Sequence, residues 1–404
     1  MSNKLKFGNG TWATKKGSTL AYNDENDNYK PLPFATTRAS GATRVNKEGL
    51  IEVVENDRPR IDYTDSAKGA LLLEPQRTNQ MINSEDLTGW NIQAGATITL
   101  ESINNPVNST NANLITANTN GAYLNRSTPD ASALYSVSFW LHKNNQSGTI
   151  ELTNAQGGNF GKWTINLDLL QNDFVRITRD HPSVTAVSEF TTLASGDIAP
   201  FFKSPSGTKS FYVTGLQLEP SYPTSYIPTQ GATATRLADT AIGSGNSEVF
   251  NDSEGVLFAN WSAANSESAS KILTIKNSSI LSNRVSLYYY GDGIYFDILN
   301  SSGTVSENTS VQNAKNFNKM SLQYQSGNTE LWVNGFKVVS NTQAISLTGL
   351  DKIDFDYGTV QYPFYGKTKE LAYYNTILTD LELETLTSYR SLSELVTELN
   401  LNTL

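Results

Sequence analysis

The stretch "SALYSVSFWLHKN" (Ser132–Asn144) alternates without a break. Tyr135, Val137, Phe139 and Leu141 fall on one face, and Ser136, Ser138, Trp140 and His142 on the other. A period of two is that of a β-strand with one buried face. Working outward, "KWTINLDLL" (Lys162–Leu170) repeats the pattern, with Trp163, Ile165, Leu167 and Leu169 expected inward. "TIELTN" (Thr149–Asn154), "DFVRITRD" (Asp173–Asp180) and "SFYVTGLQLEP" (Ser210–Pro220) read as further strands. The turn signals "NNQSG", "AQGGNFG" and "SPSGT" lie among them. Short strands, regular turns and no helical period predict a β-sandwich.

A second strand series follows "PTQGATATRLADT" (Pro228–Thr240). It runs from "GVLFANWSA" (Gly255–Ala263) to "KELAYYN" (Lys369–Asn375). "YYYGDGIYF" predicts a hairpin turning at Gly291–Gly293, and "LQYQSGNTELWV" another turning on Ser326-Gly327-Asn328. The period then switches. "LTDLELETLTSY" predicts a helix capped by Thr379, with Glu382 completing a capping box and Leu378 and Leu383 at the staple positions. Ser391 and Glu394 repeat that spacing and predict a short tail helix.

The phrase Leu-x-Leu-Glu-Pro occurs twice, ending at Glu74-Pro75 and at Glu219-Pro220. The sequences after the two copies differ, so this is no repeat. Proline cannot donate to a strand ladder. The phrase therefore reads as punctuation at the two ends of one domain. The expected fold class is all-β: two consecutive β-sandwich (jelly-roll) domains, an irregular N-terminal arm and short C-terminal helices. The expected boundaries are 1–79 for the arm, 80–232 and 233–390 for the sandwiches, and 391–404 for the tail. The arm carries Arg38, Arg44, Arg58 and Arg60 and too little apolar pattern for a core of its own. It either wraps its own chain or anchors the protein on a larger assembly.

Composition narrows the function. Cysteine is absent and only His142 and His181 occur, which removes thiolate metal sites and disfavours histidine-rich zinc sites and hydrolytic triads. The formal charge is −9, with no basic cluster to meet a phosphate backbone. No apolar run approaches signal-peptide or membrane-spanning length. Only 17% of residues are charged, and the polar surface comes from Asn, Ser, Thr and Gly.

"PRIDYTDSAKGALLLEPQRTNQMINSEDLTGW" (Pro59–Trp90) resembles a segment of bacteriophage virion and tail-fibre proteins that leads into a carbohydrate-binding-module-like jelly roll. "YSVSFWLHK" and "TGLQLEPSYPTSYIPTQGATATRLAD" resemble the middle and end of that module. "LWVNGFKV" and "FYGKTKELAYYNTILTDLELETLTS" resemble a laminin-G or concanavalin A-like sandwich. The resemblance covers roughly residues 35–390 and implies a virion surface protein, a fibre or appendage on tail or head, with glycan affinity. It also implies other virion proteins as partners through the arm, a host-surface glycan, and a homo-oligomer, with trimers common among fibres.

Sugar binding needs a flat aromatic face beside hydrogen-bonding side chains. Trp332 beside Asn334, Tyr288 with Tyr290, and Trp140 all lie off the expected core faces and are the glycan-binding candidates; each also fits a covered sheet face. Trp163 reads as core. The hydrolase pattern Glu-x-Asp-x-x-Glu is absent, and no catalytic residue is expected. Asp354 and Asp356 share one face of "DKIDFDYG" (Asp351–Gly358) and read as a solvated pair, as Ca²⁺ ligands or, least of all, as a catalytic pair. No other cofactor is expected. A purely structural decoration or connector protein and a polysaccharide depolymerase are the alternatives.

Overall fold

The structure, a computed structural model, describes residues 4–23, 28–107, 110–119, 121–123, 126–127, 132–154, 161–191, 197–301, 303–309, 313–359, 361–399 and 401. It is all-β apart from short helices. The chain forms two compact units: residues 1–41, 54–75 and 238–404 make the first, and residues 42–53 and 76–237 the second. The expected order of an arm and two successive sandwiches thus gives way to a nested one. Residues expected in an irregular arm, wrapped on its own chain or anchoring it elsewhere, include core strands of the first unit. Leu5–Gly8 pairs with Gly366–Tyr374, and so does Ala70–Leu73. These partners are far apart in sequence, so no local pattern announces them.

In the first unit a ten-stranded sheet faces a five-stranded one. The larger sheet centres on Glu254–Ala263, flanked by Asn318–Gln325 and Gly366–Tyr374. The smaller runs in the order Gly303–Thr309, Gly293–Asn300, Arg284–Tyr290, Lys271–Lys276, Lys352–Asp354. Leu257, Trp261, Leu322, Leu371 and Tyr373 from one sheet, and Leu273, Val285, Leu287, Phe296 and Ile298 from the other, share one core. Each such side chain contributes about 1.5–3 kcal/mol when removed from water. The hairpin turns with Gly291 and Asp292 between Tyr290 and Gly293, and Gly291 takes the positive φ of 60° that the turn needs.

Helix α1 (Asp380–Thr387) has Thr379 as its N-cap, and the expected capping box with Glu382 is present. Helix α2 (Leu392–Glu398) is capped by Ser391, which accepts from the Glu394 amide.

Charge is buried in the first unit where the chain leaves for the second and where it returns. Arg60 is fully buried; it donates to Glu74 at 2.7 Å and bonds Asp239. Asp239 also takes Arg38 at 2.8 Å. Burial pulls the Arg60 guanidinium down, but Asp239 and Glu74 outweigh it and hold it above its ordinary value. The arginines read as features of an anchor thus divide: Arg38 and Arg60 are buried with Asp239 and Glu74, while Arg44 and Arg58 pair with Glu52 and Glu55 near the surface.

The second unit is also a sandwich, of two six-stranded sheets. Leu134–His142 pairs with Lys209–Pro220 at its centre. Tyr135, Val137, Phe139 and Leu141 are buried in its core with Trp163 and Ile165. Leu169 is 61% exposed, against the expectation, and Leu170 is buried instead. A 3₁₀ turn over Leu167–Leu169, capped by the Asn166 side chain, breaks the strand period there. The turn expected in "AQGGNFG" lies outside the described residues over 155–160.

Candidate functional site

The face of the five-stranded sheet that turns away from the core carries an open aromatic surface. Alternation sends Val285, Leu287 and Tyr289 inward, and Ser286, Tyr288 and Tyr290 outward. The hairpin register sets Tyr288 opposite Tyr295 and Ser286 opposite Asp297. The Tyr288 and Tyr295 rings stack at 5.4 Å and 18°. Tyr290 stands edge-on to Tyr295 at 5.9 Å and 84°, and is 44% exposed. Gly293 makes this packing fit, because a Cβ there would come within 2.6 Å of the Tyr295 ring.

Polar groups border the rings. The Tyr288 hydroxyl donates to Asp297 at 3.1 Å, and Ser306 donates to the other carboxylate oxygen at 2.5 Å. Burial, with Asp297 beside it, raises the Tyr288 hydroxyl above its ordinary value, so it stays a neutral donor. Asn308 lies opposite Tyr295 and is exposed. A flat apolar surface edged by a carboxylate, hydroxyls and an amide matches what a pyranose offers, which is apolar CH faces ringed by hydroxyls. Tyr295 and Asp297 were missed in the sequence, although the turn register and the alternation of "GIYFDILN" together place them beside Tyr288.

The other candidates have different fates. Trp332 does leave the core face, as Leu331 and Val333 point inward, but it is only 5% exposed. Its ring is enclosed with Val256, Phe258, Tyr374, Leu378 and Leu383 beneath α1. Its Nε1 donates to Glu330 at 3.1 Å, and the Lys337 ammonium lies 5.3 Å from the ring centre. It offers no face to a sugar. Asn334, beside it, adopts φ 51° and is spent internally: it accepts from the Lys319 amide and the Tyr389 hydroxyl and donates to Asn318. Trp140 is 6% exposed. It packs edge-on against Tyr226 at 5.5 Å with Arg176 across its ring. In each case alternation gave the direction correctly, and a neighbouring segment covers the face.

Asp354 and Asp356 are buried rather than solvated. Asp354 binds Lys276 at 2.5 Å and accepts from the Gly243 amide at 2.5 Å. Asp356 accepts from the Gly358 amide. Among the described residues no group of three or more His, Cys, Asp or Glu side chains could hold a metal ion. His142 accepts from the Asn144 amide through Nδ1, and His181 bonds Ser183.

The two sequence phrases that carry the phage resemblance meet in the second unit. Asn79 of "EPQRTN" donates to the Leu216 and Ile227 carbonyls and accepts from the Leu218 amide. Glu219 is fully buried and accepts from the Thr224 amide and hydroxyl and from Gln217. Gln217 accepts from the Ile227 amide, and the Tyr226 hydroxyl reaches Ser84 at 2.5 Å. These residues latch the "TSYIPT" loop to the sandwich. Their role is architectural.

No family model and no curated protein matches this chain. Among solved structures, the carbohydrate-binding module CBM40 of a Ruminococcus gnavus sialidase, bound to α2,3-sialyllactose, is 19% identical with a TM-score of 0.32, covering 36% of this chain and 94% of that one. A leech intramolecular trans-sialidase is 19% identical at 0.32, covering 37% of this chain and 26% of that one. Domain 4 of a Geobacillus stearothermophilus GH43 arabinanase, in complex with arabinotriose, is 13% identical at 0.32, covering 42% and 83%. Likenesses at this level say nothing about what this chain binds.

Proposed function

We propose that this chain is a bacteriophage virion surface protein, a fibre or appendage, that holds a host-surface glycan on the Tyr288–Tyr290–Tyr295 face without cleaving it. The observation that carries the glycan half is the open tyrosine surface edged by Asp297, Ser306 and Asn308. The virion half rests on the sequence phrases around Glu74 and Glu219. Single sites of this shallow kind bind weakly, and several copies in a homo-oligomer, a trimer in the fibre case, would supply avidity. Contacts with other virion proteins fall to exposed residues of the N-terminal segments, such as Tyr29, which is 72% exposed. No catalytic pair enters this reading, because Asp354 is neutralised by Lys276.

The burial of Trp332 and Trp140 favours a second reading, a purely structural decoration or connector protein. Two experiments separate them. Immunogold electron microscopy of intact phage, with antibody to residues 238–390, should label the particle; absence of the protein from purified virions removes the virion half. A glycan array probed with the full chain should show binding that Tyr290→Ala weakens by roughly three- to tenfold. A blank array with a labelled particle selects the structural role.

A further inference from the structure

We infer, resting on the glycan reading above, that the tyrosine face selects uncharged saccharides over those bearing a carboxylate. The distribution of charge on this sheet face carries the inference. Its cations are Lys276, Arg284 and Lys352, which form one cross-strand row at the end away from the rings. Arg284 is four residues from Tyr288 along one strand, about 13 Å at the usual rise, and it is buried.

Each of the three is also engaged within the protein. Arg284 donates to the Leu281 carbonyl and to the Tyr357 hydroxyl, and its guanidinium carbon lies 3.8 Å from the Tyr357 ring centre. Lys276 binds Asp354 and the Gly358 carbonyl. Lys352 donates to the Gly245 carbonyl.

Beside the rings the charge is acidic. Asp297 lies directly against Tyr288. A carboxylate has about four lone-pair sites, so the bonds from Tyr288 and Ser306 leave room to accept from ligand hydroxyls. Asp292, in the turn next to Tyr290, is exposed and accepts from Ser266 and the Ala314 amide. Lys315 and Lys271 act on Asp292 from the turn side, but the Lys271 ammonium is bound to the Glu267 and Ala269 carbonyls. A sugar carboxylate set down on Tyr290 and Tyr295 would meet Asp297 directly, while Arg284, which acts on Asp297 from the far end of the face, is held by the Leu281 carbonyl and the Tyr357 hydroxyl. Neutral hydroxyls would meet an acceptor.

The test is a glycan array with the full chain, in which neutral hexose and N-acetylhexosamine oligosaccharides are matched in length with uronate- and sialate-bearing ones. The neutral set should bind, with Tyr290→Ala weakening it. The acidic set should bind at least about fivefold more weakly in low salt. Asp297→Asn should narrow that gap, and so should added salt on the unaltered protein. Acidic glycans bound as tightly as their neutral partners, and still lost in Tyr290→Ala, would overturn the selectivity and leave the glycan reading standing. No binding of either set by folded protein removes both.

Discussion

The outer faces of the first unit's two sheets, one at Trp332 and one at Tyr290, start from the same sequence pattern and end in opposite environments. Both aromatics alternate with core residues and so point away from the core. On the larger sheet, α1 closes over the strands and Leu383 seals the Trp332 ring from water. On the smaller sheet, among the described residues, Tyr290 stays 44% exposed. Alternation sorts side chains between faces. Whether a face stays open is decided by another part of the chain, here a helix whose N-cap, Thr379, lies 47 residues after Trp332.

Substitutions can break this contrast or sharpen it. Trp332→Ala should destabilise the protein by about 3–5 kcal/mol, as truncation of a buried ring does. Denaturant unfolding would measure it, and a change below ~1 kcal/mol would mean the roof does not pack as described. Thr379→Ala removes the cap hydroxyl that starts the roof and should cost about 1 kcal/mol. The cap also has a pH signature. Backbone and side-chain bonds from Thr379 hold the Glu382 carboxyl below its ordinary 4.5. A depressed carboxylate stabilises the fold above its unfolded value, and that contribution is lost as pH falls through the folded value. The gap between the parent and Thr379→Ala should therefore shrink in acid, and a gap that widens there would contradict the capping box. The smallest effect belongs to the open face: Tyr290→Ala should change stability by no more than about 0.5 kcal/mol. A larger loss in unfolding measurements would mean that the ring is structural after all.

Much of the fold was legible because its signals are local. The alternation of Tyr135 to Leu141, the Gly291-Asp292 turn and the Thr379–Glu382 box each need fewer than ten residues to be read, and each is present in the structure. The failures share a cause at longer range. Nothing near Leu5 indicates that its partner is Tyr373. Nothing near Arg60 indicates Asp239. Leu169 failed for a local reason, since the Asn166 side chain diverts the backbone into a 3₁₀ turn. The candidate site was half legible: Tyr288 and Tyr290 were found from one strand, while Tyr295 and Asp297 required combining that strand with the register of its hairpin.

The pairing of Leu5–Gly8 with Gly366–Tyr374 also sets a timetable. The Leu5–Gly8 strand is made long before the strand it pairs with. At ~5–20 residues per second, that interval is roughly 20–70 s. Residues 76–237 are complete well before it ends, so the second unit has its whole sequence in hand while the first still lacks a central strand. For that time the apolar side chains of Leu5 and Phe7, both fully buried in the finished protein, have no permanent place. Because the sequence of the second unit is inserted within that of the first, Leu5–Gly8 stays without its Gly366–Tyr374 partner until the second unit has been made.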